Sequence, residues 1–403
     1  MRVRAGDRRL RVAAIGGGAR LRALWPGVIR GLADSARGED AFVLDLTLDR
    51  DDPDAPVTVA FLGRQAEGAR VSLNVAAADR AQALDGADVV LCLDLPDSGP
   101  DAQALLHACD WAEAPAAGAM ALAEAVLAGP AVLALAREVA ARAPGALLVM
   151  MCGLPDVLAG AARRRFGVGG LRAVGMGPHL GELRSRLAAL LAAAPERVAL
   201  VHGGVHRVGW VLRFAVDGRD GYGELAEHIA GDPALADVWD LTGLIPTVCD
   251  GGWPWGPAAA DAAWAAPPAA WGGPSRGGGG RALGRLLRAI ATGDPDVIGL
   301  DVPFSGEAVS WAPEVTVEVP AVVVGNRVDP VAVGPLPPGV DGLPRLLALQ
   351  RGLASDYLAN PDPALLLRAL AATPHWGTPA RWRRLVAELQ RHAETGLAQA
   401  VRP

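Results

Sequence analysis

Two periodicities alternate along the first half of the chain. Residues 11–15, Arg-Val-Ala-Ala-Ile, form an apolar run of strand type, and Leu21, Leu24, Val28 and Ile29 then recur at helical spacing. A second strand-like run occupies 41–48, a short β-type run 57–62, and another 71–75. The runs 89–93 and 146–151 are continuously apolar, as strands buried on both faces of a parallel sheet are. Between them, 79–88 holds a short helix with Asp79 as its N-cap, and 102–112 and 116–142 read as helices, the second broken at Gly129-Pro130.

The second half is patterned differently. Strands are predicted at 197–202 and 209–216 with a turn at Asp217-Gly218, then a helix at 281–290, a strand at 315–324, and helices at 343–359, 363–372 and 380–398. Residues 250–280 are rich in Gly, Pro, Ala and Trp and read as a long loop, with Trp253, Trp255, Trp264 and Trp271 exposed or capping a cleft. The predicted fold class is α/β. A Rossmann-like doubly wound parallel sheet over 1–175 is followed by an α+β second domain over 176–403, with a cleft between them.

The glycines between the first strand and its helix carry the first chemical signal. Gly16, Gly17 and Gly18 let a backbone approach a pyrophosphate at a helix N-terminus, as in dinucleotide-binding turns, although Leu21 stands where the third fingerprint glycine belongs. Asp45, in the second strand, falls near the place of a ribose-binding carboxylate, and Asp49 is the alternate.

Composition narrows the rest. The 403 residues are 51% hydrophobic with a net charge of −6, and the one basic run, Arg163-Arg164-Arg165, reads as a solvated helix face. Neither nucleic acid nor an anionic membrane is an expected partner. Four cysteines without C-x-x-C spacing, and an N-terminus unlike a signal peptide, point to a reduced cytoplasmic protein.

Four stretches together resemble glycoside hydrolase family 4, the NAD- and metal-dependent glycosidases. They are 15–18, Ile-Gly-Gly-Gly; Asp79-Arg80 through Ala87-Asp88-Val-Val90; Gly203-Gly-Val-His206 followed by Trp210; and Val317-Glu318-Val-Pro320 followed by Val333-Gly334 and Leu336-Pro337. The resemblance implies a small-molecule glycoside as substrate, NAD and a manganese-type ion as cofactors, and a homo-oligomer. It also implies that NAD oxidises the sugar at C3, a base, commonly Tyr, removes the C2 proton, the aglycone leaves, water adds and the hydride returns. Gly16, Gly17, Gly18, Asp45, Asp79 and Arg80 are the implied cofactor-binding residues, and His206 matches the metal-binding His.

Several family positions differ here. Gly177 stands where the metal-binding Cys belongs, with His179 two residues on as a substitute; Val205 replaces an Asn; Cys152-Gly-Leu-Pro155 replaces a T-N-P segment. The segment around Asp250 that should hold the catalytic Tyr has none, and the two tyrosines are Tyr222 and Tyr357. Bland roles fit several residues as well: His179, His202 and His206 as satisfied histidines, Cys152 as core, Asp250 as a turn residue and Glu318 as a paired structural carboxylate. Three functions stay open: an atypical NAD-dependent glycosidase acting on a non-phosphorylated glycoside, a divergent sugar- or nucleotide-binding or accessory protein, and a plain NAD-dependent sugar oxidoreductase.

Overall fold

The computed structural model describes residues 8–33, 42–65, 72–94, 102–109, 119–247, 278–303, 315–372 and 378–401. Its strands are β1 (Arg9–Gly16), β2 (Val43–Asp49), β3 (Ser72–Ala78), β4 (Val89–Asp94), β5 (Leu147–Met150), β6 (Arg172–Gly175), β7 (Val198–Val205), β8 (Val208–Val216), β9 (Arg219–Asp220), β10 (Ile245–Pro246), β11 (Asp296–Pro303), β12 (Thr316–Val324) and β13 (Arg327–Pro330). Its helices are α1 (Gly18–Ala33), α2 (Ala55–Gln65), α3 (Arg80–Leu84), α4 (Ala102–Ala108), α5 (Ala121–Arg142), α6 (Pro155–Phe166), α7 (His179–Leu190), α8 (Gly221–Ala226), α9 (Pro233–Thr242), α10 (Gly278–Thr292), α11 (Gly342–Ala359), α12 (Pro363–Ala371) and α13 (Pro379–Val401).

The strands form one sheet in the order β10-β8-β7-β12-β11-β6-β5-β4-β1-β2-β3, with β13 beside β12 and β9 beside β8. The six strands from β3 to β6 are all parallel in the order 3-2-1-4-5-6, the arrangement of a dinucleotide-binding fold. Beyond Gly175 the pairing turns antiparallel, first through β11 and then through β12 and β7. Helices cover both faces of the parallel part. One core joins α1, α2 and α10 to one face, and a second joins α3–α6 and α11–α13 to the other.

Several elements differ from the sequence expectation. The run 57–62 lies in α2, where Ala55, Thr58 and Leu62 face inward at helical spacing. Asp52 shapes the turn that leads into that helix, its Oδ1 accepting from the Asp54 N–H. The helix over 121–142 is continuous through Pro130, and Gly129 lets Leu358 of α11 lie against it; a Cβ there would meet Leu358 Cδ2 at 2.3 Å. Residues 278–280, expected in a loop, begin α10, and the close passage of α10 over α1 requires glycine, since a Cβ on Gly280 would stand 2.0 Å from the Leu24 carbonyl oxygen. Residues 248–277, with Asp250 and the four loop tryptophans, lie outside the described residues.

The basic run is structural rather than a solvated face. Arg163 is half-buried, donates to the Thr316 hydroxyl at 2.7 Å, and has its pKa lowered to about 10 by desolvation and by Arg164. Arg164 pairs with Asp356 at 2.7 Å, and Arg165 donates to the Ala359 carbonyl. The three arginines fasten α6 to β12 and α11.

Candidate functional site

Two sites emerge, one at the glycine turn and one at the junction of the parallel and antiparallel strands. At the turn, Gly16 and Gly17 adopt φ of +69° and +63°, which glycine tolerates without strain, and Gly18 opens α1. The Gly18 N–H donates to Asp52 Oδ2 at 2.7 Å, so an internal carboxylate sits on the N-terminus of α1. A Cβ on Gly18 would meet Thr58 Oγ1 at 2.8 Å and Asp52 Oδ2 at 2.9 Å.

The acidic candidates separate. Asp45 lies opposite Arg11 of β1, in mid-strand, ion-paired with Arg9 at 3.0 Å and accepting from Asn74 at 2.7 Å. Asp49 ends β2, is buried, and accepts from Arg80 Nε at 2.8 Å. Asp79 caps α3, its Oδ1 accepting from the Gln82 N–H at 2.9 Å. Asp49 and Arg80 are therefore brought together at the carboxyl ends of the strands, while Asp45 faces its neighbours within the sheet.

The second site is a buried polar cluster. Asp301 on β11 is register partner both to Gly175 at the end of β6 and to Glu318 on β12, and Glu318 in turn pairs with Gly204 of β7. Glycine at 175 makes room for Asp301, whose Oδ2 lies 2.4 Å from where a Cβ would stand. His206 occupies the two-residue turn between β7 and β8, and Arg207 beside it takes φ +63°. His179 is the first residue of α7.

These elements converge on their histidines. His179 Nε2 lies 2.9 Å from both oxygens of Glu318, and His206 Nδ1 lies 2.9 Å from Asp301 Oδ2 and 3.7 Å from Glu318 Oε1. The two imidazoles meet edge to face with centroids 4.9 Å apart. Arg351 on α11 fixes the backbone beside them, donating to the His206 carbonyl at 2.8 Å and to Asp156 at 2.6 Å. His202, at the bulge of β7, has no hydrogen-bond partner on either ring nitrogen among the described residues.

Burial sets the electrostatics. Desolvation lifts the Asp301 carboxyl to about 6, against the pull of His206, and also raises Glu318. Burial alone would lower His206, but the charge of Asp301, its hydrogen bond and the charge of Glu318 outweigh that and raise it. Desolvation lowers His202 to about 4 and keeps it neutral. Neither tyrosine joins the cluster: the Tyr222 hydroxyl donates to the Val211 carbonyl in a separate core, and Tyr357 is buried among the helices of the opposite face.

The donor set fits a divalent ion. One ligand atom each from His179, His206 and Glu318 lies within 4.8 Å of the others, and all three residues are buried. Ligands about 2.1 Å from a tetrahedral ion stand roughly 3.4 Å apart, a spacing that the 2.9 Å between His179 Nε2 and Glu318 approaches. Asp301 is hydrogen-bonded to His206 Nδ1, which leaves Nε2 as the nitrogen that would ligate, with Asp301 as the outer carboxylate orienting the ring. Gly177 explains why a thiolate is missing: a Cβ there would meet His206 Cε1 at 2.4 Å and His179 Nδ1 at 2.6 Å, so imidazole rings fill that space. The sequence singled out His179, His206 and Glu318. It missed Asp301 and the strand bearing it, whose signal was a lone carboxylate in the apolar run Val297-Ile-Gly-Leu-Asp-Val302. Arg351 and Asp156, 195 residues apart, left no local signal.

Comparison with known proteins places this geometry. Residues 258–376 match the family 4 glycosyl hydrolase C-terminal domain. No curated protein matches the chain. The fold is shared with a 6-phospho-α-glucosidase from gut microorganisms, solved with NAD and glucose-6-phosphate, at TM-score 0.75 and 15% identity, covering 96% of this chain and 99% of that one. A 6-phospho-β-glucosidase from Thermotoga maritima, solved with manganese, NAD+ and glucose-6-phosphate, superimposes at TM-score 0.74 and 15% identity over 96% of this chain and 98% of its own. A malate dehydrogenase from Aeropyrum pernix follows at TM-score 0.52 and 17% identity over 88% of this chain and 99% of its own. Residues 258–376 thus resemble the family 4 glycosyl hydrolase C-terminal domain, and the fold along the chain is that of these 6-phospho-glucosidases.

Proposed function

We propose that this protein is an NAD- and divalent-metal-dependent glycosidase in which His179, His206 and Glu318 hold the ion. The observation that carries the reading is the buried cluster of those three side chains at the end of β6, joined to a chain that matches the family 4 C-terminal domain. Bound NAD would accept and return a hydride at the sugar, and a bound divalent ion would polarise the sugar oxygens. Gly16 and Gly17 supply the backbone approach for the dinucleotide, and Asp49, held by Arg80, is the acidic residue at the strand end. Asp52 competes with a pyrophosphate for the Gly18 N–H, so cofactor binding is expected to displace that hydrogen bond.

The chain's own proton chemistry is assigned to carboxylate–imidazole pairs. Asp301, titrating at about 6 beside His206, is suited to hold and release a proton near neutral pH in the absence of a cluster tyrosine. We assign a non-phosphorylated glycoside as substrate, because the guanidinium bonded to the cluster, Arg351, is already engaged by Asp156 and the His206 carbonyl. A cytoplasmic setting is supported by Cys92, Cys109 and Cys152 being buried core residues outside any disulfide among the described residues. Among the described residues no helix is long and apolar enough to cross a membrane.

The test is incubation with NAD, manganese and a panel of nitrophenyl glycosides in deuterated water, read by NMR. The proposal expects aglycone release with deuterium at sugar C2 and no net NADH. Net NADH without aglycone release would favour the oxidoreductase reading, which the lack of a cluster tyrosine makes the second choice. Absence of both would leave a binding protein.

A further inference from the structure

Two thiols touch at the carboxyl ends of the parallel strands. Cys92 on β4 and Cys152, two residues past β5, have Sγ atoms 3.5 Å apart, which is van der Waals contact. The backbone holds them side by side. Cys92 is register partner to Ile15 of β1 and to Met150 of β5, and its carbonyl accepts from the Met151 N–H at 2.8 Å. Both side chains belong to the core on the face covered by α3–α6. Their exposures differ: Cys92 is fully enclosed, at 0%, while Cys152 keeps 6%. Cys152 also opens the segment Cys152-Gly-Leu-Pro155, in which Gly153 takes φ +52°. A Cβ on Gly153 would meet Leu158 Cδ1 only at 3.6 Å, so this turn has room to shift.

We infer that Cys92 and Cys152 are a dithiol that a small peroxide converts reversibly to a disulfide. Bond formation brings the sulfurs from 3.5 Å to about 2.05 Å, an approach of roughly 1.5 Å. β4 is locked between two strands, so the turn after β5 supplies that movement. Cys152, the thiol with surface, reacts first. Its sulfur attacks one peroxide oxygen, the O–O bond breaks, and the departing hydroxide takes the thiol proton as water, leaving a sulfenic acid. The Cys92 sulfur then attacks the Cys152 sulfur, the S–O bond breaks, and a second water carries away the Cys92 proton. The sulfurs together lose two electrons, and one peroxide is reduced to two waters. A dithiol reductant reverses the step. Burial selects the oxidant: hydrogen peroxide is small enough to reach a 6% exposed sulfur, and a bulky aromatic disulfide is not. In a reducing compartment the pair rests as thiols, and its disulfide is of the transient, redox-responsive kind. This chemistry is independent of the glycosidase reading.

The probe is hydrogen peroxide, added to the full native chain, followed by quenching, denaturation in iodoacetamide and peptide mass spectrometry without reductant. The expected result is a peptide pair joined through Cys92 and Cys152, with both thiols lost to alkylation and recovered after dithiothreitol. Cys92→Ser, verified as folded by circular dichroism, should instead hold the Cys152 sulfenic acid, trapped as its dimedone adduct. Peroxide that leaves both cysteines open to alkylation, that joins Cys152 to Cys109 or Cys249, or that carries Cys152 of the parent to a sulfinic acid without the joined peptide would overturn the inference.

Discussion

Asp301 and Glu318 face one another as register partners on β11 and β12, and each holds a different histidine at 2.9 Å: Asp301 takes His206 and Glu318 takes His179. Two buried carboxylates side by side repel, and the imidazoles between them offset that repulsion. The arrangement brings two imidazoles and a carboxylate together beside Gly177, where a Cβ would meet both rings.

Restoring that side chain should therefore harm the site. Gly177→Cys and Gly177→Ala both place a Cβ against His206 and His179. Each is expected to lose about 1–3 kcal/mol in denaturant unfolding, the range for overpacked interiors. A stable Gly177→Cys variant with improved metal affinity would contradict this.

Arg351 and Asp156 form a buried pair that also anchors the His206 backbone. Arg351→Met leaves the Asp156 carboxylate without that partner and should cost about 3 kcal/mol. The double variant Arg351→Met, Asp156→Leu should recover much of it. Equal destabilisation of single and double variants would show that packing, not the stranded charge, decides.

His202 predicts a pH dependence. Its folded value, about 4, lies below its ordinary 6.5, so as pH falls the unfolded chain takes up this proton first. The stabilisation is complete above pH 6.5 and is lost as pH falls through about 4. At 1.36 kcal/mol per unit, the 2.5-unit gap amounts to about 3 kcal/mol. His202→Gln should flatten the stability curve across that window in chemical unfolding at stepped pH; an unchanged slope would assign the loss elsewhere.

Asp52 predicts an effect on the cofactor. Asp52→Asn keeps an acceptor near the Gly18 N–H but removes the charge from the α1 N-terminus. A charge at a helix end is worth about 1 kcal/mol, so NAD should bind about fivefold tighter in a calorimetric titration. Weaker binding would mean that Asp52 organises the turn for the cofactor instead of competing with it.

What the sequence made legible was local. The glycine turn, the parallel strands with their unbroken apolar runs, the Asp79 cap and the two strands that flank His206 all reside in short segments whose period or turn chemistry is self-contained. Non-local placement was not legible. Asp301 joins the cluster through β11, where it is a lone carboxylate in an apolar run, and Arg351 arrives from α11. The run at 57–62 was misassigned because its β-branched residues mask a helical spacing of buried positions. The visible run at 163–165 is spent on holding α6 in place.

The most direct measurement is equilibrium dialysis of the full chain against manganese, with bound metal quantified by elemental analysis. The account predicts one ion per chain, lost in His179→Ala and in Glu318→Gln while both variants remain folded by circular dichroism. No retained ion, or retention undiminished in both folded variants, would contradict the metal centre proposed for His179, His206 and Glu318.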